Sequence, residues 1–63
     1  MEQRRDEDFM TTKEAAEWLR LREDTLRAWR CQGRGPRWVR LGRTAIRYRV
    51  ADVRRWMEEG EER

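Results

Sequence analysis

Apolar residues recur along this chain first at helical spacing and then at strand spacing. The first helical stretch carries four apolar residues on one side: Ala15, Ala16, Trp18 and Leu19. The helix should begin near Thr12, because Thr11 and Glu14 have the spacing of a capping box. The apolar pattern lapses over residues 20–22, where we expect a short turn.

A second helix is predicted from Glu23 to about Gln32, with Leu26 and Trp29 on its buried side. Gly33 follows in the position where helices commonly end in a left-handed conformation. Two short helices across a tight turn are typical of a helix-turn-helix motif. The order of elements therefore begins with helix, turn and helix.

After Gly35 and Pro36 the spacing becomes alternating. Apolar residues occupy six positions of this stretch: Trp38, Val39, Leu41, Ile46, Tyr48 and Val50. Because arginines alternate with them around a loop at residues 42–44, we predict a β-hairpin with one apolar face and one arginine face. A third helix from about Ala51 to Glu59 should pack back on the core through three residues: Val53, Trp56 and Met57.

The charges are segregated along the sequence. Residues 1–19 have a net charge of −3, residues 20–49 of +8 and residues 50–63 of −2. Eight arginines and no acidic residue lie from Thr25 to Arg49. A basic block between acidic flanks predicts a surface for an anionic partner.

Composition limits the classes of function. The 63 residues include no histidine and one cysteine, Cys31, so a zinc site, a Ser-His or Cys-His nucleophile and an internal disulfide are not expected. We expect no catalytic residue, no metal and no cofactor, and hence not an enzyme. No apolar run is long enough to cross a membrane, so a cytoplasmic protein is expected.

The chain is expected to form one domain. The predicted boundaries are a flexible acidic tail over residues 1–8, a domain over 9–59 and a flexible tail over 60–63. Because nothing follows the third predicted helix except this tail, we expect neither an effector-binding domain nor a dimerisation helix.

The outward side of the second helix is the first candidate for contacts with DNA. It centres on Asp24, Arg27, Ala28 and Cys31, with Thr25 and Arg30 at its margins, and Arg22 and Arg34 frame the helix. In the major groove Arg pairs with guanine, Asp accepts from cytosine, and Ala tolerates a thymine methyl. A solvated amphipathic face is the alternative interpretation.

The hairpin is the second candidate. Arg43 and Thr44 lie near its tip, and Arg40, Arg47 and Arg49 lie on its strands. A basic hairpin can reach the DNA backbone or the minor groove beside a helix in the major groove. Charge that protects a strand edge from aggregation is the alternative. The predicted DNA-binding residues are Arg22, Asp24, Thr25, Arg27, Ala28, Arg30, Arg34, Arg43, Thr44 and Arg47.

Several short motifs resemble one family when taken in order. They are MTTKEAAEWL (residues 10–19), TLRAW (25–29), Gly33, Gly35-Pro36, VRLG (39–42), IRY (46–48) and DVRRW (52–56). Together they resemble the small MerR-type winged helix-turn-helix domains, specifically the excisionase-like group. The resemblance implies that the second helix is the recognition helix, that the hairpin is the wing, and that Trp29 and Trp56 are core residues. Family members often have Ser or another small polar residue where this chain has Arg22, and a basic or polar residue where it has Cys31.

The resemblance implies a mostly α winged helix-turn-helix fold that binds double-stranded DNA. Phage excisionases of this group bend attachment sites and set the direction of integrase recombination, with a tyrosine or serine integrase and neighbouring copies of themselves as partners. A small transcription regulator of prophage or plasmid genes is the alternative. A protein-interaction module that uses the fold without DNA is a second alternative. The expected location is the nucleoid of a bacterial cell.

Overall fold

The order of helices and strands matches the sequence prediction, with one strand added. The computed structural model describes residues 4–60; residues 1–3 and 61–63, which belong to the predicted tails, lie outside this range. The elements are β1 (Phe9–Met10), α1 (Thr12–Leu19), α2 (Glu23–Gln32), β2 (Val39–Leu41), β3 (Ala45–Arg49) and α3 (Val50–Glu59). The predicted winged helix-turn-helix architecture is confirmed.

The capping box at the start of α1 is present. The Glu14 backbone N–H donates to Thr11 Oγ1 at 3.1 Å, and the Thr11 N–H donates to Glu14 Oε1 at 2.9 Å. At the other end, Arg20 adopts a left-handed conformation with φ of 61°, and the Leu21 N–H donates back to the Ala16 carbonyl at 2.8 Å. The chain therefore reverses sharply between α1 and α2, as the pattern over residues 20–22 predicts.

The sheet has three strands in the order β1-β3-β2, all antiparallel. Strand β1 pairs Phe9 with Arg49 and Met10 with Tyr48, and was not predicted. Two residues are too few to produce an alternating pattern in the sequence, so this strand exists only through its pairing with β3.

The hairpin faces differ from the prediction. Val39 pairs with Arg47 and Arg40 pairs with Ile46, and directly paired residues share a face of a sheet. Each face therefore carries both apolar and arginine side chains, so the prediction of one apolar and one arginine face is wrong. Trp38 and Val39 are adjacent and therefore lie on opposite faces; Leu41 shares the outer face with Val39 and is 44% exposed.

The core lies between the helices and the inner face of the sheet. Its buried members are Met10, Ala15, Ala16, Leu26, Tyr48, Val50 and Val53. Val50 was predicted in the hairpin but is the first residue of α3. Met57 is 40% exposed, so the prediction that it packs on the core is wrong. It shares the side of α3 that carries Val50 and Val53, but it lies one turn beyond Val53, where the end of the helix is exposed. Trp29 and Trp56 are only half-buried and lie at the margin of the core.

The N-terminal segment completes the start of α3. Arg49 precedes this helix without a side-chain cap. The Val50 N–H donates to the Asp8 carbonyl at 2.9 Å, and the Ala51 N–H donates to the Asp6 carbonyl at 3.1 Å. These bonds satisfy amides that a helix start otherwise leaves unpaired. These hydrogen bonds do not measure flexibility, so the flexible tails expected over residues 1–8 and 60–63 stay a prediction.

Candidate nucleic-acid interface

The outward strip of α2 is exposed, as the helical spacing predicts. Leu26 is fully buried and fixes the inward side of the helix. Thr25 is half-buried at one margin of the strip. The exposed residues of the helix start and the strip are Arg22, Asp24, Arg27, Ala28 and Cys31. A row of short and basic side chains is therefore accessible on one side of α2.

Within this strip, Asp24 and Arg27 bind each other. Arg27 Nη1 donates to Asp24 Oδ1 at 2.8 Å, and the two side chains are 55% and 94% exposed. An exposed pair of this kind contributes at most about 1 kcal/mol, so it can open when either side chain binds a stronger partner. The pair was not predicted from the sequence, although a separation of three residues on a helix is a sufficient indication.

Arg22 directly precedes α2, and its side chain is exposed to solvent. Its carbonyl accepts from the Thr25 N–H at 3.0 Å, but its side chain makes no capping hydrogen bond. A guanidinium at this position is suited to a phosphate, because amides at a helix start also attract anions.

Arg30 lies elsewhere than predicted. Its Nη1 donates to Tyr48 Oη at 2.8 Å and to Thr12 Oγ1 at 3.2 Å. Its guanidinium carbon is 5.9 Å from the ring centroids of both Trp38 and Tyr48. Since Arg30 follows the buried Leu26 by four residues, it shares the inward side of the helix rather than the margin of the outward strip. The Arg30 guanidinium therefore lies between α2, α1 and β3 rather than on the outward strip.

Arg34 follows α2 and covers an aromatic ring. Gly33 ends the helix in a left-handed conformation with φ of 70°. The guanidinium carbon of the half-buried Arg34 lies 5.0 Å from the ring centroid of Trp29. Its charge is thereby held beside the C-terminal end of α2.

The wing carries cations at its tip and on both faces. Arg43 and Thr44 are exposed in the turn between β2 and β3. Arg47 is half-buried on the outer face, where its Nη1 donates to the Ile46 carbonyl at 2.8 Å. Arg40 lies on the opposite face, with its guanidinium carbon 6.0 Å from the Trp38 centroid.

Three further exposed arginines belong to the same acid-free stretch: Arg49 ends β3, and the other two lie between α2 and the wing tip. Arg37 and Arg40 are exposed but are absent from the predicted DNA-binding set. The position of Arg37 and Arg40 between α2 and the wing tip was the indication that could have included them.

No group of three or more His, Cys, Asp or Glu residues within 4–60 is arranged to hold a metal ion. Over the same residues, no helix combines the length and the apolar character needed to cross a membrane.

The sequence match agrees with this geometry. Residues 9–61 match a family model described as a helix-turn-helix domain, which spans every element from β1 to α3. The chain belongs to this helix-turn-helix domain family. A search of curated proteins gave no match. Membership of the helix-turn-helix family indicates DNA binding, with DNA as the partner.

Proposed function

We propose that this helix-turn-helix domain is a MerR-type, excisionase-like architectural protein that binds repeated sites in double-stranded DNA in a sequence-specific manner. It bends the duplex and directs excision by a tyrosine or serine integrase. Helix α2 enters the major groove as the recognition helix, and the β2–β3 hairpin contacts the backbone or the minor groove as the wing. The protein acts by binding alone, without catalytic residues or a cofactor, on the nucleoid in the bacterial cytoplasm.

The exposed strip of α2 is the observation that carries this proposal. Arg27 is long enough to donate to guanine O6 and N7, Asp24 accepts from cytosine N4, and Ala28 leaves room for a thymine methyl. Arg22 lies at the helix start, where a phosphate would approach. A solvated helix face needs no such combination of a base reader, a short acid and a small residue within one turn.

The dimensions of the domain are compatible with binding to sites one turn of DNA apart. Its longest extent is 30 Å, whereas one turn of DNA rises by about 34–36 Å. Copies on sites one turn apart can therefore lie side by side on the same side of the duplex, and their bends then add in one direction. Bending a site of 20–30 base pairs costs about 1–6 kcal/mol, which contacts from both α2 and the wing would offset.

Selection of bound sequences from a random duplex pool, followed by gel shifts, tests the proposal. We expect a defined sequence preference, and a plot of log affinity against log salt with a slope of about −4 to −5 if some five phosphates are neutralised. Arg27→Ala should weaken the preference. Arg55→Ala is the matched control, because Arg55 is equally cationic and exposed but lies on α3.

The same DNA then distinguishes the candidate functions. Cooperative binding to two sites together with a bend, measured by circular permutation of the site within a fragment, supports the architectural role. Tight binding to one site without a bend favours a transcription regulator of prophage or plasmid genes. Weak binding that does not depend on salt rejects DNA as the partner and favours a protein-interaction module.

A further inference from the structure

We propose that Arg30 is a positioning residue that holds the recognition helix and the wing in one fixed relation, so that both contact the duplex together. The proposal rests on the proposed DNA-binding function. It concerns the contacts among Arg30, Thr12 and Tyr48, called the Arg30 bridge below. Arg30 acts within the protein and does not itself touch DNA.

The Arg30 bridge connects three elements through one guanidinium nitrogen. Nη1 donates to Tyr48 Oη on β3 at 2.8 Å and to Thr12 Oγ1 on α1 at 3.2 Å, while Arg30 itself belongs to α2. Tyr48 is 1% exposed and part of the core. The position of its hydroxyl is therefore set by core packing, and Arg30 aligns α2 to a fixed point on the central strand.

Arg30 also contacts aromatic rings, one of which belongs to the residue that precedes β2. The guanidinium carbon is 5.9 Å from the Tyr48 ring centroid and 5.9 Å from that of Trp38, which immediately precedes β2. Cations are attracted to aromatic faces at such distances. A single side chain of the recognition helix thus contacts the central strand and the residue that leads into β2.

The chain connection between α2 and β2 is anchored to α2 at its start, and Arg30 adds a contact between α2 and β3. Residues 33–38 contain two glycines in positive φ, Gly33 at 70° and Gly35 at 87°. The Gly33 N–H donates to the Arg30 carbonyl at 3.3 Å, the Arg34 N–H donates to the Trp29 carbonyl at 2.9 Å, and Gly35 lies close to the Trp29 ring. These contacts fix the start of the connection relative to α2. Helix α2 contacts α1 and, through Trp29 and Trp56, α3; Arg30 adds a direct hydrogen bond from α2 to β3.

An arginine suits this role because its donors point in fixed directions. The guanidinium is planar and stays charged, so two acceptors at set positions define the rotation of the side chain. An apolar residue of similar volume would fill the space but would leave the direction of α2 less defined. The two acceptors here are neutral hydroxyl groups, whose removal by Tyr48→Phe or Thr12→Ala introduces no new charge.

Tyr48→Phe is the central test, because it removes one acceptor and retains the buried ring. Affinity for the selected duplex should be measured between 50 and 200 mM salt, with circular dichroism and thermal unfolding to verify the fold. We expect a folded protein whose salt slope falls by about 0.9, the value for one lost phosphate contact, although Tyr48 carries no charge. Thr12→Ala is the second variant and should act in the same direction.

A double-mutant cycle with Arg43→Ala separates positioning from general stabilisation. If the bridge positions the wing, Arg43→Ala should weaken binding in the wild-type background but have little further effect beside Tyr48→Phe. Arg55→Lys is the control and should change neither slope nor affinity. The proposal would be overturned if the effects of Tyr48→Phe and Arg43→Ala on DNA affinity were additive and Tyr48→Phe alone lowered only the unfolding temperature.

Arg30→Lys provides the remaining distinction. Lysine retains the charge but lacks the fork, so it should reproduce the effect of Tyr48→Phe. A full wild-type slope for Tyr48→Phe together with a reduced slope for Arg30→Met would mean that Arg30 contacts a phosphate directly, which also overturns the proposal. Absence of DNA binding by the wild-type protein would instead reject the proposed function on which the inference rests.

Discussion

Trp29 of α2 and Trp56 of α3 pack against each other, with ring centroids 5.5 Å apart and ring planes inclined by 49°. Both rings are half-buried. The pair therefore joins α2 to α3 at the margin of a small core. The orientation of the helix that we assign to the major groove consequently depends on the final helix of the chain.

Trp29→Ala should lower the free energy of unfolding by about 3 kcal/mol, the lower end of the range for large aromatic truncations, because the ring is only partly buried. Trp56→Ala should cost less, since it lies further from the core. Urea unfolding followed by circular dichroism measures both. In the double variant we expect a coupling of about 0.5–1.5 kcal/mol between the rings. Strictly additive losses would mean that the ring contact contributes nothing.

Gly35→Ala should destabilise the domain more than Gly33→Ala. A Cβ at Gly35 would lie 2.6 Å from Cε3 of Trp29, whereas nothing lies within 4 Å of a Cβ at Gly33. Both positions have positive φ, so both substitutions introduce backbone strain of about 1–2 kcal/mol. Only the first adds overpacking, typically about 1–3 kcal/mol. Equal losses in urea unfolding would contradict the close approach of Gly35 to Trp29.

Removal of residues 1–8 should cost more stability than Asp6→Ala. The deletion removes the carbonyls that accept from the Val50 and Ala51 amides, a loss comparable with that of a helix cap, about 0.5–2 kcal/mol. Asp6→Ala removes only the exposed bond from Arg54 Nε to Asp6 Oδ1 at 3.2 Å, typically worth less than about 1 kcal/mol. Thermal unfolding compares the two variants. Unchanged stability of the truncated protein would exclude a capping role.

Arg27→Ala should reduce specific DNA affinity by about 1–3 kcal/mol and relax the preference at one base pair. The substitution also breaks the exposed pair with Asp24, which has little effect on folding. Competition between the selected site and its single-base variants measures the preference. An unaltered preference would remove Arg27 from the bases and imply a different face of α2.

Arg43→Ala should weaken binding to selected and unrelated duplexes alike. Arg43 is exposed at the wing tip, where a phosphate contact carries no base information. The salt slope should become shallower by about one. Arg55→Ala on α3 is the matched control for the loss of one positive charge. A wild-type slope for the Arg43 variant would remove the wing tip from the interface.

Features that depend on residues close together in the sequence could be predicted. The capping box of Thr11 and Glu14 marks the start of α1, and Gly33 marks the end of α2, because each signal acts within one helical turn. The exposed strip of α2 follows from the same periodicity, since Leu26 alone suffices to set the inward side.

The remaining features depend on contacts between distant residues. Strand β1 forms only because Met10 pairs with Tyr48, and the hairpin faces depend on a register that sets Val39 opposite Arg47. Local alternation does not determine register. The inward position of Arg30 likewise depends on hydroxyls contributed by α1 and β3. A charged residue in a basic stretch gives no local indication that its partners lie within the fold.

The capping of α3 by the N-terminal segment has a consequence for how the chain is made. Asp6 and Arg54 are 48 positions apart yet bind each other, and the carbonyls of Asp6 and Asp8 meet the first amides of the last helix. During translation, residues 6–8 therefore cannot complete these contacts until the start of α3 has left the ribosome. The native start of α3 thus requires a pairing between segments more than 40 positions apart, which cannot form by successive addition of finished parts.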